Sequence, residues 1–247
     1  YLVELIKNTL GILKNLLRSN TKFRLIFYKL LLSTTFSTQR YLNQKTVLHK
    51  NFGMLPIEGQ KYLYFPLYNI TEYSSNFQSI MWLDINYIVE ILAKTIPGDW
   101  IIVLKEHPTG LKFNCREVDF YKKIQKLPNV VFAPLNAETE KLISNSELVF
   151  VTVGTSGWEG ILKGKPVLSP VENFWDCMDL SSKCSDIEKF DTAIKSEIER
   201  NNIISDLERE KKITTFLEAL QRNSFPISSP EAFSYFHDGN AEEYNTS

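Results

Sequence analysis

A chain of 247 residues, 43% hydrophobic and 23% charged, is long enough to bury a full-sized core and too apolar to remain disordered as its main state. Its 28 basic and 29 acidic side chains leave a formal charge of -1, so no global field favours nucleic acid, and any site for a polyanion is local. Three scattered cysteines, Cys115, Cys177 and Cys184, supply neither a disulfide framework nor a paired Cys-x-x-Cys zinc arrangement, which fits a reducing compartment.

The N-terminal region is basic. Residues 1–50 carry nine Lys or Arg against the single acid Glu4. Leu2, Leu5, Ile6, Leu10, Leu13, Leu16 and Leu17 recur at three- and four-residue steps, which predicts an amphipathic helix, and a second helix is expected over Arg24 to Leu32. Such a helix can lie on an anionic membrane surface as a peripheral contact, or pack on a neighbouring domain with its lysines in water. No signal-peptide order and no run of eighteen apolar residues occurs, so the expected location is cytoplasmic, with the inner face of the cell membrane as the place of any lipid contact. The chain opens on Tyr1 already in helical periodicity, and is expected to continue an upstream first domain, of which 1–60 are a helical remnant or linker.

From Lys61 short apolar runs alternate with helical patterns. Lys61 to Pro66, Trp100 to Lys105, Asn129 to Ala133, Leu148 to Thr152 and Pro166 to Ser169 are the candidate strands. Helical patterns lie between them around Trp82 to Thr95, Glu117 to Leu127, Ala137 to Asn145 and Ser156 to Lys163. Alternation with densely apolar strands predicts an α/β fold: a Rossmann-like parallel sheet flanked by helices over 61–222. Two further helices, Ile187 to Arg200 and Ile204 to Arg222, precede a polar tail over 223–247 whose composition suits partial disorder.

In an open parallel sheet the ligand crevice lies beyond the carboxyl ends of the strands, so the junctions after the strands are the places to inspect. After the second strand, Pro108 removes a backbone donor and pushes His107 toward an extended backbone that faces the crevice. His107 can hydrogen-bond a phosphate oxygen, act as an acid, or merely cap a loop, and Lys105 can add positive charge. After the fourth strand, Gly154, Thr155, Ser156 and Gly157 open a helix whose unpaired N–H groups form an oxyanion cradle, or an ordinary capped turn. The run is neither a P-loop nor a G-x-G-x-x-G fingerprint. Glu159 can accept hydrogen bonds from ribose hydroxyls or complete a capping box with Ser156. Gly164 is a plausible left-handed helix end. After the first strand, Glu72 can orient a sugar, serve in proton transfer, or simply be solvated. No Asp-x-Asp pair occurs, and neither a metal nor a cofactor is expected.

Taken together, FPLYNITEYSSN, VLKEHP and LISNSELVFVTVGTSGWEGILKGKPVL resemble, in order and spacing, the capsule polysaccharide synthesis family of GT-B sugar transferases, over roughly Lys61 to Trp175. The family includes Kdo transferases that use CMP-Kdo, and bacterial sialyl- and polysialyltransferases carry a similar His-Pro and Ser/Thr pair. The resemblance implies that His107 and the Thr155 and Ser156 pair hold the donor phosphate. It also implies that Glu159 is the glutamate following that motif and Glu72 the acidic residue of the first loop. The serine-rich form of the phosphate motif is replaced here by Gly154-Thr155-Ser156-Gly157. The implied function is the C-terminal, donor-binding half of a GT-B glycosyltransferase. It would transfer a sugar from a nucleotide sugar, CMP-linked by this likeness, to a capsular or surface polysaccharide or lipid-linked acceptor. Residues 1–60 are too few for the family's acceptor domain. A sugar-nucleotide epimerase shares the architecture and would be told apart by its product without acceptor, and a non-catalytic assembly subunit by binding without turnover.

Overall fold

The computed structural model describes residues 53–68, 82, 84–107, 116 and 118–223. The expected N-terminal helices, the loop that holds Glu72 and the polar tail lie outside the described residues.

The alternation seen in the sequence is the architecture. In chain order the elements are β1 (Tyr62–Pro66), α1 (Ile85–Thr95), β2 (Ile101–Lys105), α2 (Val118–Ile124), β3 (Val130–Phe132), α3 (Thr139–Ser144), β4 (Leu148–Phe150), α4 (Thr155–Leu162), β5 (Val167–Ser169), β6 (Ser182–Lys183), α5 (Phe190–Ile203) and α6 (Asp206–Asn223). The six strands pair in parallel in the order β3-β2-β1-β4-β5-β6, with Leu63 opposite both Ile102 and Leu148. The chain winds outward from β1 to β3, returns beside β1 with β4, and winds outward the other way. The direction of winding therefore reverses between β1 and β4, and a crevice opens where the connections diverge.

Strand parity divides the core. Leu63, Phe65, Ile102, Leu104, Leu148 and Phe150 face α1, α2 and the start of α5, where Ile88, Leu92, Tyr121, Ile124 and Phe190 close over them. Tyr62, Tyr64, Val103, Val149, Val151 and Val167 face the other way, under Ile143 of α3, Ile161 of α4, and Trp175. Burial on both faces explains why the strands read as continuous apolar runs rather than as alternating ones.

Local chemistry sets the helix ends. The Asp84 side chain accepts the Tyr87 N–H at 3.2 Å and starts α1. At the end of α4, Gly164 takes φ +68°, while its own N–H and that of Lys165 return to the Ile161 and Gly160 carbonyls at 3.0 and 2.9 Å. Between these ends Gly160 lets α4 lie close on the sheet, since a Cβ there would sit 3.0 Å from Val167 Cγ2.

Several element bounds differ from the sequence expectation by one to three residues, as where α5 starts at Phe190 rather than Ile187. The fourth strand ends at Phe150 rather than Thr152. A sixth strand of two polar residues, Ser182–Lys183, extends the sheet beside β5. The fully buried Glu197 of α5 fastens that edge: its carboxylate accepts the Val167 N–H at 3.0 Å, the Ser182 hydroxyl and the Arg200 guanidinium. Burial raises the Glu197 carboxyl above the usual carboxylate range, against the pull of these donors.

Candidate functional site

At the crevice between β1 and β4 lies an open cavity of about 480 Å³. Each neighbouring strand ends on it. β1 contributes Tyr64 and the chain from Pro66 to Tyr68, β2 contributes Lys105, Glu106 and His107, and β4 leads into Val153 to Ser156. Thr139 at the start of α3 and Glu159 from α4 complete the wall.

The helix end is the part of this wall suited to an anion. Gly154 precedes α4 with φ +109° and ψ 169°, a backbone conformation open essentially to glycine, and no side chain caps the first turn. The N–H groups of that turn have no intrahelical acceptor and carry the positive end of the helix dipole. Thr155 and Ser156 lie on the cavity wall beside them. Gly157 does not line the cavity: its side-chain position faces Trp175 and Val151, where a Cβ would be 2.6 and 2.9 Å from ring and methyl carbons. Its smallness therefore serves the seating of α4 on the sheet, whatever its backbone N–H offers a ligand.

The capping box between Ser156 and Glu159 does not form. Because the backbone turns at Gly154, Ser156 is already the second helical residue and Glu159 lies past the first turn. The Glu159 carboxylate accepts instead from the Thr155 hydroxyl at 3.3 Å and stays on the cavity wall as an acceptor for hydroxyl groups.

Lys105 is 7% exposed and donates from Nζ to Thr139 Oγ1 at 2.9 Å. Burial is the main influence on its ammonium and pushes it below the ordinary lysine value, while the nearby Glu159 charge pulls the other way. Tyr64, also buried, shares Thr139 as a hydrogen-bond partner, and burial pushes its phenol far up. Tyr64, Thr139 and Lys105 thus form a hydrogen-bonded row across the floor, of which the sequence reading singled out Lys105 alone. Tyr64 had a signal, namely its parity with Tyr62 near the carboxyl end of β1. Thr139 had none, because it arrives from a helix start beyond β3.

His107 stands half-buried on the same wall, and its own N–H donates to Glu106 Oε1 at 3.2 Å. Glu106 is 4% exposed and its other oxygen accepts from Arg116 Nε at 3.2 Å and the Tyr121 hydroxyl at 2.8 Å. Of the residues singled out in the sequence, Lys105, His107, Gly154, Thr155, Ser156 and Glu159 surround one cavity, and Glu72 lies outside the described residues. Among the described residues no group of three or more His, Cys, Asp or Glu side chains is placed to hold a metal ion, and no helix is long and apolar enough to cross a membrane.

This arrangement offers an anion a helix end, an ammonium and an imidazole, and offers hydroxyl groups a carboxylate. No family model matches the sequence, and no curated protein matches it. Among solved structures, the β-Kdo 2,7-transferase KpsC of Thermosulfurimonas dismutans is similar at 18% identity and a TM-score of 0.44, over 72% of this chain and 52% of that one. The UDP-GlcNAc 2-epimerase of Neisseria meningitidis bound to UDP-GlcNAc is 18% identical with a TM-score of 0.40, over 81% and 52%. Anabaena HepE in complex with UDP-glucose is 16% identical with a TM-score of 0.39, over 73% and 51%. The chain thus spans about half the length of each.

Proposed function

We propose that the cavity binds a nucleotide sugar and that the chain is the donor-binding half of a GT-B-type glycosyltransferase. The proposed donor is CMP-linked and the proposed acceptor a capsular or surface polysaccharide or its lipid-linked precursor. One observation carries the reading: His107 and the uncapped start of α4 line a single cavity at the reversal between β1 and β4. A group that departs as phosphate gains negative charge as its bond to the sugar breaks. Donors already aimed at that charge lower the barrier, and loss of one such donor costs about 3 kcal/mol. The Thr155 and Ser156 amides, the Ser156 hydroxyl, the His107 imidazole and the Lys105 ammonium are those donors, while Glu159 takes ribose or sugar hydroxyls.

Titration calorimetry of the full-length protein against CMP, UDP, GDP and their sugars tests this directly. Saturable binding of one of them, CMP above all, is the expected result, and loss of that binding on Ser156→Asp would place it at the helix end. Binding of none of them overturns the reading.

The depressed ammonium of Lys105 gives a pH signature. While Lys105 is protonated it attracts the phosphate, and this attraction disappears as pH rises through its depressed pKa, below the 10.5 at which a solvated lysine would lose its charge. Burial pushes the phenols of Tyr62 and Tyr64 upward, Tyr62 to about 12, so they remain neutral across that interval. Nucleotide affinity measured from neutral to alkaline pH should therefore fall early in the native protein. Lys105→Met should bind about tenfold more weakly at neutral pH, as expected for loss of a charged hydrogen bond, and should lack the early fall. Parallel pH profiles for the two proteins would exclude Lys105 from contact with the anion.

A further inference from the structure

The strand ladder between β1 and β2 ends with the Leu67 N–H on the Lys105 carbonyl at 2.8 Å. Past that point both chains run along the cavity, and a buried charge pair takes over the work of holding them together. Arg116 donates from Nε to Glu106 Oε2 at 3.2 Å, and from Nη2 to the Tyr68 carbonyl at 2.6 Å. Its guanidinium lies 5.5 Å from the Tyr68 ring centroid and 5.1 Å from that of Phe120. Glu106 divides its two oxygens between the α2 side, where Arg116 and Tyr121 donate to Oε2, and the cavity side, where the His107 N–H donates to Oε1. Tyr68, Glu106 and His107 all line the cavity.

We propose that Glu106 and Arg116 are positioning residues of this site, a buried ion pair that joins the segments leaving β1 and β2 and fixes the direction in which His107 enters the cavity. Stability alone does not account for such a pair. Desolvating two charges costs about as much as their attraction returns, and well-packed apolar residues of similar volume often do as well or better. What apolar residues cannot do is direct a backbone amide and a carbonyl toward defined points. With Oε1 on the following amide, Glu106 restricts rotation about its own Cα–C bond and so fixes the plane of the peptide that leads into His107. With Nη2 on the Tyr68 carbonyl, Arg116 extends that restriction to the opposite rim. The choice of ligand rests on the nucleotide-sugar reading; the clamp itself does not.

The test is a double-mutant cycle in the full-length protein with CMP as probe, using Glu106→Gln, His107→Ala and the pair together. Glu106→Gln keeps the volume and removes the charge, and should weaken CMP binding about tenfold, as loss of a charge-assisted hydrogen bond does. Because Glu106 acts through His107, the same change should cost nothing further once His107 is alanine. Equal losses in both backgrounds would mean that Glu106 only supports the fold, and would overturn the proposal. Tyr121→Phe, which deletes a single donor to Oε2, supplies a milder variant if Glu106→Gln does not fold. Amide hydrogen exchange without ligand gives a second readout. Residues 68, 106 and 107 should exchange faster together in the variant, while the β1 and β2 ladder up to the Leu67 N–H stays protected; unchanged exchange at these residues overturns the clamp. If CMP fails to bind the native protein, the CMP-linked reading falls while the exchange measurement still decides the clamp.

Discussion

His107→Ala is expected to lower the proposed sugar transfer by the full-length protein roughly a hundredfold or more and to leave its fold intact. The fold should survive because His107 is only half-buried, and because its hydrogen bond to Glu106 Oε1 runs through the backbone N–H, which alanine retains. The loss is large because, in the proposed reaction, the imidazole on the cavity wall is a donor to the departing phosphate, and prepositioned donors of that kind are worth roughly 10²-fold to 10³-fold in rate. It should fall mainly on kcat, since the interaction strengthens as the bond to the sugar breaks, with a smaller effect on the Michaelis constant of the donor. CMP, the proposed product, carries the full phosphate charge and should bind more weakly to the variant. Steady-state kinetics with the donor selected by the calorimetric screen, alongside thermal melting, separates these effects. Turnover at the native rate would remove His107 from the mechanism.

What the sequence revealed of this site follows from distance along the chain. β1, β2 and β4 are legible because burial on both faces makes them dense apolar runs, and the junctions after β2 and β4 therefore pointed to Lys105, His107 and the start of α4. β6 is illegible for the opposite reason. Ser182–Lys183 has no apolar signal, and its place beside β5 depends on Glu197, which lies far along the chain in α5 and takes the Ser182 hydroxyl. The relation of Ser156 to Glu159 shows a different limit. The spacing permits a capping box, but only the positive φ of Gly154 decides which residue begins the helix. Among three small residues in a row that choice belongs to the backbone. Glu106 lay between two singled-out residues and was passed over. Strand alternation turns it away from Lys105, and its partners Arg116 and Tyr121 lie on the approach to α2 and within it, so its role emerges only from packing.

Gly157→Ala is expected to destabilise the protein by about 3 kcal/mol, the upper part of the range for overpacking a dense core. The new methyl would sit 2.6 Å from Trp175 Cζ2 and 2.9 Å from Val151 Cγ2, and neither can withdraw: Trp175 is 1% exposed and Val151 fully buried. Relief must come from α4 lifting off the sheet. Gly157 is its third residue, so the lift displaces the Thr155 and Ser156 amides, and nucleotide affinity should fall together with the melting temperature. Gly154→Ala isolates the other possible cause. A Cβ there meets nothing within 4 Å, so any penalty comes from φ +109° alone and should be confined to the turn. Trp175→Phe, combined with Gly157→Ala, removes the ring carbons that the methyl strikes. It forfeits no hydrogen bond seen among the described residues, because Trp175 Nε1 has no partner there. The double variant should therefore recover part of the stability and affinity together relative to Gly157→Ala, the Val151 contact remaining. If the two substitutions instead simply add their losses, the glycine is not required by the close approach of α4 to Trp175, and the link between this packing and the anion site fails.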